Sequence, residues 1–275
     1  MDKCASSNRA RLSWRALTYL ILFSLLAGSW AKAGVNLSQE EALRIGRKIW
    51  NNECGGTIAG LTSWNAGENF ASLGIGHFIW YPAGQPGPFE ESFPKFLRFA
   101  ISRGADMPIW LRQSAACPWN SRAEFLRSQS SIEMKELRAF LARTVELQTQ
   151  FLVARLQAAL SKMLDQAGPA ERENVRRQFD RVANSANGYY ALIDYVNFKG
   201  EGTLLTERYR GQGWGLLQVL EGMHGSTAGP GALDEFSKSA TEMLKQRVQN
   251  SPPARHESQW LPGWINRVKS YRANS

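Results

Sequence analysis

The chain has 275 residues, 43% of them hydrophobic and 21% charged, with a formal net charge of +9. That composition fits a globular protein with a sizeable core and excludes a disordered or fibrous chain. The body holds no apolar stretch long enough to span a bilayer and no dense Lys/Arg run of the kind that forms a nucleic-acid arm.

The N-terminus has its own character. Lys3, Arg9, Arg11 and Arg15 precede an uncharged apolar run, Leu17 to Gly28, and Ala31-Lys32-Ala33 then offers the small residues that a signal peptidase reads. Residues 1–33 therefore read as a secretory signal peptide cut after Ala33, the run being short for an uncleaved membrane anchor. The mature chain, 34–275, is expected outside the cytoplasm, periplasmic or secreted, without stable membrane insertion. Cleavage leaves 28 basic and 23 acidic residues, a net charge of +5. A basic exported protein gathers near anionic polymers such as cell-wall glycans, nucleic acid or a membrane face, and charge alone does not choose among them. Cys54 and Cys117 remain as an even pair in a compartment where disulfides persist, so a bridge and two buried thiols are both open. Two cysteines and so few histidines do not make a metal site.

Along the mature chain, Ser38 is a candidate N-cap with Glu41 three residues on, the spacing of a capping box. Leu43, Ile45, Ile49 and Trp50 give the helix an apolar side, and Gly55-Gly56 stops it, which puts Glu53 in the last turn. Residues 57–80 are rich in Gly, Ser, Asn and aromatics and predict a small hairpin or two- to three-stranded sheet. Pro82 to Pro88 is a loop. Helices dominate afterwards: Phe89–Arg103, Ser121–Ser130, and one long helix over Leu137–Leu164, whose apolar residues keep one face at helical spacing. Residues 170–183 are highly charged and predict a solvent-facing helix. Tyr189–Asn197 is apolar and buried, and Trp214–Met223, Phe236–Val248 and Trp260–Tyr271 complete the chain. The expected class is mainly α (α+β).

Glu53 is the first candidate for chemistry. A carboxyl at a helix C-terminus meets partial negative charge, and apolar neighbours such as Trp50 and Trp64 add desolvation. Both effects favour a protonated acid near neutral pH, which a glycosidase needs. Taken alone, a helix-end glutamate is more often a solvated residue.

The residues that follow change that balance. Leu61 to His77, ending in Gly74-Ile75-Gly76-His77, resembles the active-site β-region of phage-type lysozymes. Glu53 matches the helix-end catalytic glutamate of that family, Ser72 its hydroxyl position and Gly74–His77 its terminal run. Residues 191–201 resemble the family's buried core helix, and residues 250–255 with 264–268 its closing segment. The likeness covers 37–80 and 189–272 and leaves 82–188 unmatched. It implies a two-lobed lysozyme-like fold: a catalytic helix and hairpin lobe over 34–88, and a helical lobe over 89–275. It also implies cleavage of the β-1,4 bond between N-acetylmuramic acid and N-acetylglucosamine in peptidoglycan, by a monomer without a cofactor.

One position departs from the family. Ala66 stands where the second carboxylate belongs, and Glu68, two residues on along the same strand face, is the nearest acid. The expected catalytic set is Glu53, Glu68 and Ser72. Trp64 and Trp80 are expected to stack on sugar rings, Gly74 and Gly76 to permit close backbone approach, and His77 to be a structural donor at the substrate wall. Without a second acid, two readings stay open: the single-acid chemistry of lytic transglycosylases, and a wall-binding protein that has lost catalysis. Chitin or chitosan is the alternative substrate.

Overall fold

A computed structural model describes residues 38–87 and 89–272, which fall within one compact unit. The leader expected over 1–33 lies outside them. The architecture is mainly helical with small antiparallel sheets. Among the described residues, no helix is long and apolar enough to cross a membrane.

Helix α1 (Gln39–Cys54) starts and stops as its sequence dictates. The Ser38 hydroxyl accepts from the Glu41 backbone N–H, the Glu41 carboxylate accepts from the Ser38 N–H, and Gly55 ends the helix at φ 61°. Ile45 and Ile49 are buried on its inner face, each worth about 1.5–3 kcal/mol of burial. That face packs on α6 (Val145–Gln166) and α8 (Ala186–Lys199). At Gly46 a Cβ would lie 2.4 Å from the Thr149 hydroxyl, so only glycine permits the observed approach of α1 to α6.

A three-stranded antiparallel sheet follows, β1 (Thr62–Ser63), β2 (Ala71–Leu73) and β3 (Phe78–Trp80), with Ser72 opposite both Ser63 and Ile79. Helix α2 runs over Phe93–Ser102, starting four residues later than its apolar pattern predicts, with Pro94 in its first turn. Residues 89–92 instead run beside β3. Ile79 donates to the Ser92 hydroxyl at 2.9 Å, Ser92 to the Ile79 carbonyl at 3.1 Å, and Tyr81 to the Glu91 carboxylate at 2.8 Å.

Two short helices, α3 (Ile109–Gln113) and α4 (Arg122–Arg127), lead to α5 (Ile132–Arg143) and α6. The single helix expected over 137–164 is thus two, broken at Thr144. The Gln148 side chain explains the break: its amide donates to the Leu141 carbonyl at 2.7 Å and to the Thr144 hydroxyl at 3.2 Å. It thereby takes the acceptor that a continuing helix would offer to the backbone. Helix α7 (Pro169–Val182) turns most of its charge to solvent, with Glu171, Arg172, Glu173, Arg176, Arg177 and Asp180 exposed, but it also has a buried face that the charge pattern hides. Val175, Phe179 and Val182 are buried, and Asn174, Gln178 and Arg181 turn inward to donate to the carbonyls of Met223, Gly225 and Thr227.

A two-stranded ribbon, β4 (Arg208–Tyr209) and β5 (Gln212–Gly213), precedes α9 (Leu216–Glu221), α10 (Pro230–Asn250) and α11 (Leu261–Lys269). Cys54 and Cys117 are both buried and both free, which settles the disulfide question in favour of thiols. Burial pushes each thiol up to about 12.

Candidate functional site

Glu53 lies on the wall of an open cleft of about 390 Å³. Ile75, Gly76 and His77 of the turn after β2 form one side of it, with Ile79 of β3. Phe89, Glu90 and Ser92 form the lip, because the stretch beside β3 leaves them outside α2. Arg155 of α6, residues 196–198 of α8 and Arg267 of α11 complete the wall.

Burial, Arg267 in the cleft wall and Asp194 behind it set the charge state of Glu53. Arg267 reaches the Glu53 carboxylate with one guanidinium nitrogen. The same guanidinium grips Asp194 with two bonds, Nε to Oδ2 at 2.9 Å and Nη2 to Oδ1 at 2.7 Å. The Tyr271 hydroxyl donates to Asp194 as well. Asp194 is only 3% exposed, and these three bonds satisfy both of its carboxylate oxygens. The Glu53–Arg267 contact, taken alone, would hold Glu53 ionised. Its pKa is instead raised, chiefly by burial, because Asp194 already answers the Arg267 charge and repels a second carboxylate. Glu53 is thus biased toward the protonated acid.

His77 sits at positive φ, 46°, at the end of the Gly74 turn. Its Nε2 lies 3.2 Å from the Glu53 carbonyl oxygen, a bond it makes as the donor. That geometry is the expected structural donor role, and it ties the turn to the end of α1. Gly74, at φ 71°, would place a Cβ 2.3 Å from the Gln148 amide oxygen, which accepts from the Ile75 N–H at 2.9 Å. Gly74 therefore serves close packing on α6. Gly76 faces the cleft, and a Cβ there would meet the Phe78 ring at 2.5 Å.

Other sequence-derived candidates fall elsewhere. Glu68 is not among the cleft-lining residues, and its Oε2 is buried without a hydrogen-bond partner. The hairpin tip explains this: Trp64 donates to the Glu68 carbonyl at 2.8 Å, packs against Phe125 of α4 and is held by Arg122. The tip thus leans on α4. Trp64 is buried there, and Trp80 is 0% exposed against Phe93, so neither presents a ring to a sugar. Ser72 is buried beside the cleft, its side chain on the same sheet face as Ile79 across the strand pair.

The aromatic surfaces that do face the cleft are Phe89, 59% exposed, and Phe198. A second carboxylate also lines it. Glu90 is held by Lys95 and by Arg155 at 3.5 Å, and these contacts keep its pKa below the usual carboxylate range. The cleft therefore joins an acid pushed toward the neutral form and one held ionised, the contrast that separates general acid from charge stabiliser. Sequence reasoning overlooked Glu90, Arg155, Arg267 and Asp194. Only Asp194 carried a signal: an acid inside the apolar run 189–197 must have a partner. Among the described residues, no group of three or more His, Cys, Asp or Glu is placed to hold a metal.

The fold and site define a mainly helical protein whose cleft holds an acid biased toward its protonated form. Compared with protein-family models, curated proteins and solved structures, the chain matches none.

Proposed function

We propose that the protein is an exported peptidoglycan-cleaving glycosidase with Glu53 as general acid, its cleft lying between the sheet-bearing and helical parts of a lysozyme-like arrangement. The observation that carries this reading is the Glu53 carboxyl on the cleft wall, its pKa raised by burial and by the nearby Asp194 despite its bond to Arg267. A protonated carboxyl there can donate to the oxygen leaving a glycosidic bond. Glu90, not Glu68, supplies the second carboxylate. Its pairing with two cations makes it a weak base but a lasting negative charge, suited to steadying the positive charge that develops on the sugar ring. Phe89, 59% exposed at the lip, offers an apolar face for a sugar ring, whereas the Phe198 ring already carries Lys199 and Arg267. The substrate is the N-acetylmuramic acid–N-acetylglucosamine bond, with chitin and chitosan as comparison substrates.

The test is release of soluble fragments from purified cell walls by the wild type and by Glu53→Gln. Wild-type activity that Glu53→Gln abolishes is expected; equal activity, or none in either protein, would refute the proposal. Mass spectrometry of the products separates hydrolysed ends from the anhydro ends of a single-acid transglycosylase.

A further inference from the structure

A second hollow lies on the opposite side of α1. Arg44, Arg47, Lys48, Asn51 and Asn52 recur at i, i+3, i+4, i+7 and i+8 and make one stripe of the helix. At about 100° per residue, Glu53 leaves the helix roughly 180° round from Arg44. Arg44, Arg47, Asn51 and Asn52 are exposed and Lys48 is half-buried, and the stripe forms one wall of an open hollow of about 590 Å³ whose other wall is Ser185, Ala186 and Asn187. Those three residues are the N-terminus of α8, a helix of 14 residues whose N-cap is Ser185. Among the described residues no carboxylate lines the hollow, although Arg44 acts on Glu41 one turn back along α1 and Lys48 feels Asp194. Among the described residues, neither Arg44 nor Arg47 has a carboxylate within ion-pair distance. Lys48 is positioned from both sides, its ammonium 4.5 Å from the centre of the Tyr190 ring and 3.5 Å from the Asn187 amide oxygen. Asn52 is fixed by its bond to the Tyr190 hydroxyl.

We propose that this hollow binds a phosphate ester, its tetrahedral oxyanion seated between Arg44, Arg47 and Lys48 of α1 and the N-terminus of α8. Two guanidinium forks and an ammonium oppose the one to two negative charges of a phosphate, and donors converge from two helices onto an anion with several oxygens. A helix N-terminus adds favourable potential for the same charge. A carboxylate, with two oxygens and one charge, would leave part of this donor set unused. The site is separate from the cleft and stands whether or not Glu53 cleaves glycans.

The test titrates the whole mature chain with glycerol 3-phosphate, with acetate at equal ionic strength as the control. A parallel arm sediments the protein with phosphatidylglycerol or phosphatidylcholine vesicles. Saturable binding of glycerol 3-phosphate, or of phosphatidylglycerol vesicles alone, is expected, weakened at least about tenfold in the double variant Arg44→Gln/Arg47→Gln. Binding in both arms marks any accessible phosphate ester as ligand; binding to vesicles alone marks a membrane headgroup as its source. Asn187→Asp is the second variant. It is isosteric and places an acid where a helix N-terminus favours one, so the fold is retained while the anion is repelled. No saturable binding in either arm, binding unchanged in both variants, or equal competition by acetate would overturn the proposal. If the arginine variant loses its helical signal, Asn187→Asp decides.

Discussion

Asp194→Asn tests the reasoning about Glu53 at its source. The substitution keeps the shape of the side chain and removes the charge that two Arg267 bonds and one Tyr271 bond hold. Breaking a buried ion pair on one side costs about 3–5 kcal/mol when the remaining charge is sealed in. The Arg267 side chain is about one-third exposed and still touches Glu53, so the cost falls to about 2–3 kcal/mol. In a domain of this size that lowers Tm by about 4–12 °C. The effect on Glu53 has a definite sign. With Asp194 neutral, Arg267 acts on Glu53 unopposed and the repulsion that raised its pKa is gone. A general acid works only when protonated, so activity is lost as pH rises through its pKa. A lower pKa moves that loss to lower pH. Thermal melts by circular dichroism, with wall-digestion rates between about pH 4 and 8, read both effects. The variant is expected to melt earlier and to lose activity first near neutral pH, retaining it in acid. An unchanged Tm, or an alkaline limb that stays or moves upward, would refute the coupling of Asp194 to Glu53.

The parts of the fold that were legible in the sequence are those fixed by local chemistry. The Ser38–Glu41 box and the Gly55 stop bracket α1 within a residue or two, because caps and left-handed glycines act on their own neighbours. The small sheet and the apolar core helix α8 were legible for the same reason. Most of the misreadings come from side-chain contacts that an apolar period does not record. Gln148 breaks a helix whose apolar period runs on through Thr144, by side-chain bonds one and two turns back that hydrophobic spacing does not show. Asn174, Gln178 and Arg181 look like surface residues until the carbonyls of residues 223–227 are brought against them. Glu68 reads as lying on one strand face with Ala66, but residues 64–70 form the turn between β1 and β2, and the contact of Trp64 with Phe125 leans that turn on α4. Glu90 reaches the cleft only because Pro94 delays α2 and residues 89–92 lie beside β3. Arg267 is 214 residues from Glu53, so their contact was beyond any local signal.

Three further outcomes follow from the packing. Gly74→Ala forces a left-handed backbone on alanine and drives its Cβ into Gln148, so it should cost about 1–3 kcal/mol and lower Tm. Gly67→Ala, with φ 83° but open space, should lose less; the reverse order in paired melts would contradict the crowding at Gln148. Cys54 and Cys117 should resist iodoacetamide in the native protein at neutral pH and react once it is denatured, as read by peptide mass mapping, because burial holds both thiols protonated. Rapid native labelling of either would show a thiol that opens to solvent. Lys199 carries the largest consequence for stability. It is buried between Phe198 and the Trp264 ring, 3.2 Å from the latter's centre. The rings favour an ammonium, but burial, Arg247 and Arg267 outweigh them and Glu257, and its pKa falls to about 6. Between that value and the ordinary lysine value of about 10.4, the unfolded chain holds a proton that the folded chain does not. Stability should therefore rise with pH across this window. Lys199→Met should stabilise the protein at pH 7, raising Tm by several degrees, with the advantage fading as pH approaches about 10. A Tm difference that is independent of pH, or a variant less stable than wild type at pH 7, would mean that Lys199 keeps its proton over the rings and that the cation–π contacts win.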